Sequence, residues 1–452
     1  MESYSLKLSL IAIFLLVIGY SFASAQSLDD YIKEGLESNL VLQQKNVSLQ
    51  QAQQSLQIAR SYFLPSISLL ADYTSGKGGR SIAIPVGDLL NPVYQSLNQI
   101  TQSDYFPQIE NVEQNFFPRD FYDTRIRTSI PLVNTDLLIN KEIEGQKVML
   151  KQYEVEIYKR ELVENIKTAY YNLKAAENGV KIYESALTLV EKNVQVNRSL
   201  VDNGKGLYAN LLRAKSEAER VRADLNSARN KVANASKYFN FLLNRDFETS
   251  VNTVASEDLP QVLDTAETAG RREEVQMLQT VREINESALR MSKLNRLPKV
   301  NAFMDLGSQS EGWRYNSDSR YYLVGVQLSL PIFQGLRNDR TIRHRQLEIQ
   351  KSEQDLLHTQ KSLELAASVA RNELKTTMEN YHAAEEQLKS AQSYFHLVER
   401  GYQQGVNSLI EFLDARNELT SSQLQLNLRK LEVLTASAHL ERETASYSIL
   451  KQ

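Results

Sequence analysis

The chain states one pattern twice, and the spacing of the two copies governs every later inference. Ser129-Ile130-Pro131-Leu132 recurs as Ser329-Leu330-Pro331-Ile332, 200 positions on. Gly204, Leu212, Ala214 and Glu217 recur as Gly405, Leu413, Ala415 and Glu418, each 201 positions on. Leu64-Pro65 has its echo in Leu297-Pro298, at an offset of 233. Repetition on this scale means two similar halves building one quasi-symmetric object, expected here at 26–245 and 269–452.

The nine prolines stand at 65, 85, 92, 107, 118, 131, 260, 298 and 331, leaving 132–259, 261–297 and 332–452 without one. Proline breaks helix interiors, so these stretches permit very long helices. Within them runs a seven-residue repeat. Val148, Val155, Leu162, Ala169, Ala176, Tyr183 and Val190 form one seam, and Ile166, Leu173, Val180, Leu187, Val194 and Val201 its partner. The second half repeats it in phase through Ile349, Leu356, Leu363, Ala370, Ala384, Ala391 and Val398, with Leu374, Tyr381, Leu388, Phe395 and Tyr402 alongside and Thr377 as the one polar interruption. The pattern predicts helices over about 134–201 and 335–402, each roughly 100 Å long at 1.5 Å per residue, wound left-handedly. Seams alone fit an ordinary fibrous coiled coil equally well.

The segments between the helices decide against fibres, because four short stretches alternate with period two. Tyr122, Thr124, Ile126, Thr128 and Ile130 share one face, and Asp123, Arg125, Arg127 and Ser129 the other. The repeat copy sets Tyr322, Val324, Val326, Leu328 and Leu330 against Gly325, Gln327 and Ser329. The other pair reads Ile67, Leu69, Ala71, Tyr73 and Val300, Ala302, Met304, Leu306. Each stretch is apolar on one face, polar on the other, with aromatics near its ends, as in strands of an outer-membrane barrel. A soluble sandwich strand taken singly alternates in the same way. Two hairpins, about 65–131 and 298–331, each opening into a very long helix, favour the barrel and place Arg125 and Arg127 toward its lumen. Relative to the second hairpin the first carries about 33 extra residues within 74–120, rich in glycine and proline, which read as a long surface loop.

Composition narrows the class. Lys7, an apolar run over 8–20 and Ala23-Ser24-Ala25 form an export signal over 1–25, with the mature chain expected from Gln26. There is no cysteine, which excludes disulfides, thiolate metal sites and a cysteine nucleophile. A net charge of −3 offers no electrostatic case for nucleic acid. No stretch after residue 25 approaches the ~18 apolar residues of a helical span. Four strands cannot close a barrel, and an open edge in lipid leaves backbone groups unsatisfied, so the chain must oligomerise. Two copies make eight strands with a filled interior and three make twelve with room for a channel; periodicity does not choose between them.

At this point the residues resemble a known family, the outer-membrane efflux proteins or TolC-like outer-membrane factors. The likeness runs from Ser27-Leu28-Asp29-Asp30 to the final helix. Its most specific part is the stretch from Gly401, Tyr402, Gln403, Gln404 and Gly405 through Asn407, Ser408, Leu409 and Glu411 to Asp414-Ala415, which is similar to the family's periplasmic-tip turn, with a weaker copy over 198–214. Leu64-Pro65 and Leu297-Pro298 match helix-to-strand entries, and Arg272-Glu273-Glu274 the start of a short helix. The resemblance implies a mainly α chain with membrane β: a homotrimer whose twelve-stranded barrel, four strands per chain, continues into a coiled-coil helical barrel with a waist near 246–268. It implies an outer-membrane exit duct of a Gram-negative bacterium reaching into the periplasm. Its partners would be a periplasmic adaptor and an inner-membrane pump or ABC-type exporter, as in tripartite efflux or type I secretion.

The tip chemistry can also be argued directly. Gly204 and Gly405 suit tight helix reversals. Glu411 and Asp414, three apart, share a helix face. In a trimer with that face lining the pore, six carboxylates would converge and favour cations; a solvated helix face is the plainer reading. By resemblance Glu411 and Asp414 match an acidic constriction and Tyr402 a tyrosine that holds the tip closed. Asn210 stands where an acid would receive that tyrosine, and Asn407 where some members carry arginine. The tip turns, with Arg198, Gly204, Lys205, Arg400, Gln404, Gly405, Ser408 and Leu409, are the expected adaptor-docking elements.

No catalytic, cofactor or metal site is expected. The closest histidine pairs, His344 with His358 and His382 with His396, lie fourteen residues apart, about 21 Å along a helix. Gly76-Lys77-Gly78-Gly79 lacks phosphate-loop spacing. The rival from another class is a periplasmic coiled-coil adaptor without a pore. Adaptors carry one helical hairpin flanked by soluble β domains, whereas this chain repeats both hairpin and strand pair.

Overall fold

The structure is a computed structural model that describes residues 26–117, 119–253, 259 and 272–448. The expected export signal and most of the waist segment lie outside the described residues. The elements run α1 (Leu28–Ser38), α2 (Leu40–Ser61), β1 (Ser66–Thr74), β2 (Ser81–Ile84), α3 (Val86–Thr101), β3 (Val112–Asn115), β4 (Phe121–Val133), α4 (Thr135–Asp202), α5 (Tyr208–Leu242), α6 (Glu273–Leu294), β5 (Lys299–Glu311), β6 (Arg320–Ser329), α7 (Arg337–Gln403) and α8 (Leu409–Thr444). α4 and α7 have 68 and 67 residues and begin and end within two residues of the spans predicted from the seams. Among the described residues two compact units form, and each draws on both sequence halves: those within Met1–Ala52, Lys147–Arg282 and Gln350–Gln452 make one, those within Gln53–Gln146 and Glu283–Ile349 the other.

The first unit is helical, and its core is the seam itself. Every seam residue named above that falls within it is buried or half-buried, because a heptad stripe leaves water only when neighbouring helices cover it. The largest cluster joins Tyr31 and Ile32 of α1, Leu162, Ile166 and Tyr170 of α4 and Phe239 of α5. α1 fits closely because Gly35 has no side chain: a Cβ there would lie 2.3 Å from Ile166 Cδ1. Ion pairs with little exposure tie the start of α6 to the end of α8 and to α4. Arg272, 2% exposed, donates to Glu274 (2.6 Å) and to Glu443 Oε2 (3.0 Å), and Arg160 donates to both oxygens of Glu273 at 2.9 and 2.6 Å.

The second unit holds one antiparallel four-stranded sheet in the order β1-β4-β5-β6. The two predicted hairpins are therefore joined edge to edge by β4 and β5. Their register sets Ile67 opposite Thr128, Leu69 opposite Ile126, Ile126 opposite Leu306, Thr128 opposite Met304 and Met304 opposite Val324. Each apolar set thus falls on the same face, and Asp123, Arg125, Arg127, Asp305 and Gln327 fall on the other. Pro131 lacks the amide a ladder needs, and the register slips by one residue between Pro131 and Val133. On the apolar face Ile67, Leu69, Tyr322, Val324, Val326 and Leu328 are 64–78% exposed. At its far end Trp313 stacks on Tyr73 and on the buried Tyr122, with centroids 5.3 and 5.6 Å apart.

The segment expected to be a long surface loop is instead folded. It contains β2 paired with β3, and α3 with Pro92 inside it. Asn91 and Asn98, two turns apart on α3, each clasp one residue of the connection that follows the helix by both its backbone groups: Asn91 binds the amide and carbonyl of Ile109 at 2.9 Å, and Asn98 those of Phe106 at 3.0 and 2.8 Å. Turn-rich composition marks where a chain bends, and side-chain amides then supply ladder bonds that the composition does not reveal. Among the described residues no helix is long and apolar enough to cross a membrane.

Candidate functional site at the paired helix turns

Both long helices end in the same way. After α4, Gly204 (φ +70°) donates to Val201 O at 2.9 Å and Lys205 to Leu200 O at 2.8 Å. After α7, Gly405 (φ +76°) donates to Tyr402 O at 3.1 Å and Val406 to Gly401 O at 2.7 Å. This is the Schellman closure, whose left-handed residue is glycine because a Cβ is penalised there. The second turn is tighter still, since a Cβ on Gly401 would fall 1.9 Å from Asn407 Oδ1.

The following helices start differently. Ser408 caps α8 in a reciprocal box: its hydroxyl accepts from Glu411 N at 3.2 Å, and the Glu411 carboxylate accepts from Ser408 N at 2.7 Å and Asn407 Nδ2 at 3.3 Å. Those donors, the Ser408 amide first, hold the Glu411 carboxyl below its usual 4.5. α5 starts at Leu207 with no side-chain cap. The S-x-x-E spelling at 408–411 signals the box in sequence; Glu411 is thus a structural cap as well as an exposed acid. Asp414 is exposed one turn on, while Leu207 (69%), Tyr208 (61%), Val406 (78%) and Ile410 (53%) set apolar side chains in the solvent around both turns.

Tyr402 does not meet Asn210. Its hydroxyl accepts from Asn197 Nδ2 at 3.0 Å, and its ring stacks on Phe412 with centroids 4.9 Å apart. Asn197 is 3% exposed and also donates to Asn193 Oδ1 at 3.0 Å, so the partner of the Tyr402 hydroxyl is a buried asparagine of α4 rather than Asn210. Asn197 falls seven residues after Val190, at the next position of its seam, and a polar residue in a heptad seam is the signal that identifies it. Leu409, expected among the docking residues, is 4% exposed and packs with Phe395, Val398, Phe412 and Leu413. It builds the turn's own core and is not available to a partner. Arg198, Lys205, Arg400, Gln404, Gly405 and Ser408 are exposed.

Below the turns lies a link between hairpins that the sequence did not suggest. Arg416 of α8, 1% exposed, pairs with Glu217 of α5, and Arg220 pairs with the same carboxylate while donating to Asn417 at 2.7 Å. Burial pushes the Arg416 guanidinium below its usual value. Burial alone would raise the Glu217 carboxyl, but the Arg220 hydrogen bond and the Arg416 charge bring it below 4.5. In the sheet unit, Arg125 pairs with Asp123 and lies 3.4 Å from Asp72, and Arg127 binds Asp305 through two bonds of 2.7 and 2.6 Å. Among the described residues no group of three or more acids and histidines is arranged to hold a metal.

A doubled helical hairpin joined to strand pairs with one apolar exposed face defines the chains of outer-membrane channels. Residues 31–245 and 266–445 match the outer membrane efflux protein family, and the chain belongs to it. The toluene efflux pump outer membrane protein TtgC of Pseudomonas putida is 23% identical over 291 residues, covering 62% of this chain and 59% of that protein's length. The outer membrane protein TolC of Escherichia coli is 21% identical over 438 residues, covering 93% of this chain and 82% of TolC. The CmeC outer membrane channel of Campylobacter jejuni superimposes with a TM-score of 0.74 at 15% identity, over 92% of this chain and 85% of that one. The fold is that of TolC-like channels.

Proposed function

We propose that the protein is the outer-membrane channel of a tripartite efflux or type I secretion system, a passive gated exit duct from periplasm to exterior. The observation that carries this reading is the sheet: four strands with an exposed apolar face, polar residues opposite, and β1 and β6 at its two ends in the strand order. In lipid such a sheet is stable only when its ends pair with other copies, and three copies supply the twelve strands of an open barrel. Two repeats, 26–245 and 269–452, linked at the waist, would line the same duct in sequence. Membership of the efflux family supports the location and the role.

At the periplasmic end Glu411 and Asp414 would form the acidic aperture, latched by Tyr402 on Asn197 rather than Asn210, with Asn407 supporting Glu411. The exposed residues of both turns, Lys205, Gln404, Leu207 and Val406 among them, would dock the adaptor, which joins the duct to an inner-membrane pump or ABC-type exporter. No covalent step is required. Fractionation tests the assignment: extraction from outer membrane by detergent only, as a trimer that conducts ions in a planar bilayer, is expected. Release by osmotic shock as a monomer would instead identify a periplasmic adaptor.

A further inference from the structure

The polar face of the sheet holds a built site. A cavity of about 920 Å³ lies against it, lined by Tyr62, Arg127, Ser129, Asn301, Phe303 and Gln327 among others. The Arg127 guanidinium is fixed there by the two bonds to Asp305, whose own exposure is 1%. Its carbon lies 5.1 Å from the centroid of the Phe303 ring. Phe303 in turn is laid across Gly325, where a Cβ would meet its Cζ at 2.5 Å. Adjacent strands thus stack a guanidinium, an aromatic ring and a bare glycine.

Wetting a lumen requires none of this, and burying a carboxylate is costly unless it is paired with good geometry. The pairing uses Nε and one N–H of Nη2, leaving three of the five guanidinium N–H donors for other acceptors. The ion pair is neutral as a unit, so the site offers hydrogen-bond donation beside an aromatic face rather than a net charge. Its size suits a drug-sized solute. We infer that this is a transit site for aromatic solutes carrying an acceptor oxygen next to the ring, the ring lying on Phe303 or Tyr62 and the oxygen on Arg127. The inference rests on the channel reading above, with this face lining the pore.

The test is block of ion current through wild-type trimers in a planar bilayer by three probes: 2-naphthalenesulfonate, an aromatic anion; benzamide, a neutral aromatic with a carbonyl; and methanesulfonate, an anion without a ring. Concentration-dependent block by either aromatic probe and not by methanesulfonate is expected, and which of the two blocks assigns the acceptor as charged or neutral. Phe303→Leu should raise the half-blocking concentration about 2- to 10-fold, the range for loss of an aromatic contact. Arg127→Gln combined with Asp305→Asn should do the same without stranding a buried charge. Equal block by methanesulfonate, or block indifferent to Phe303→Leu in a conducting trimer, overturns the site. Wild-type protein that does not conduct overturns the channel reading instead.

Discussion

Glu217 is the residue whose removal the structure constrains most tightly. Its carboxylate balances two guanidiniums, and the side chain of one of them, Arg416, is 2% exposed while that of Glu217 is 14% exposed. Glu217→Leu leaves Arg416 as a buried cation without its carboxylate, which costs about 3–5 kcal/mol, because removing one partner of a buried pair forfeits the attraction and keeps the desolvation. Arg220 contributes little to that figure, since its side chain is 55% exposed and water screens it. Replacing both partners, Glu217→Leu with Arg416→Met, removes the penalty together with the attraction and should bring the cost to near zero. Hydrogen exchange on the purified protein reads the effect locally, over α5 and α8 near the turns, without requiring reversible unfolding of the whole molecule. At about 1.4 kcal/mol per decade, the single variant should exchange at least ~100-fold faster there and the double variant within ~10-fold of wild type. A single variant as protected as wild type, or a double variant as labile as the single, refutes the claim that Arg416 is held by Glu217. The pH dependence has a defined sign. Glu217 titrates below 4.5 in the folded chain, so its contribution is complete above its unfolded value and disappears as pH falls through the lower folded value.

Four further outcomes follow from the turns. Ser408→Ala should destabilise the start of α8 by about 0.5–2 kcal/mol, read as faster exchange over 409–413, whereas Leu207→Ser should stabilise the uncapped start of α5; equal effects at both positions would contradict the asymmetry. Within one chain the Ser408 and Asn407 donors hold the Glu411 carboxyl below 4.5, whereas six converging carboxylates repel and raise one another, so cation selectivity in bilayers should be full at neutral pH and fade on acidification. Glu411→Gln with Asp414→Asn should abolish that selectivity at neutral pH, and unchanged selectivity would move the filter elsewhere. Tyr402→Phe keeps the stack on Phe412 but deletes the bond to Asn197, a loss of about 0.5–1.5 kcal/mol that should raise resting conductance more than Asn210→Ala does.

The lengths of α4 and α7, the faces of the four strands, the repeat and the glycine closures were legible in the sequence, because period, proline placement and left-handed glycine are local properties of a chain. The heptad seams could be assigned to burial one residue at a time for the same reason. What the sequence could not state is which of two equivalent groups meets a third. Tyr402 selects Asn197 over Asn210, Arg416 shares Glu217 with Arg220, and Asn91 and Asn98 fold a segment whose composition reads as a plain loop. Each of these choices depends on distances across helices or strands that are far apart in the chain. Hydrogen bonds, including those within ion pairs, are lost within about an ångström of their optimum, so only the packed tertiary structure decides them, while hydrophobic periodicity, which needs no partner identity, is already decided by the sequence.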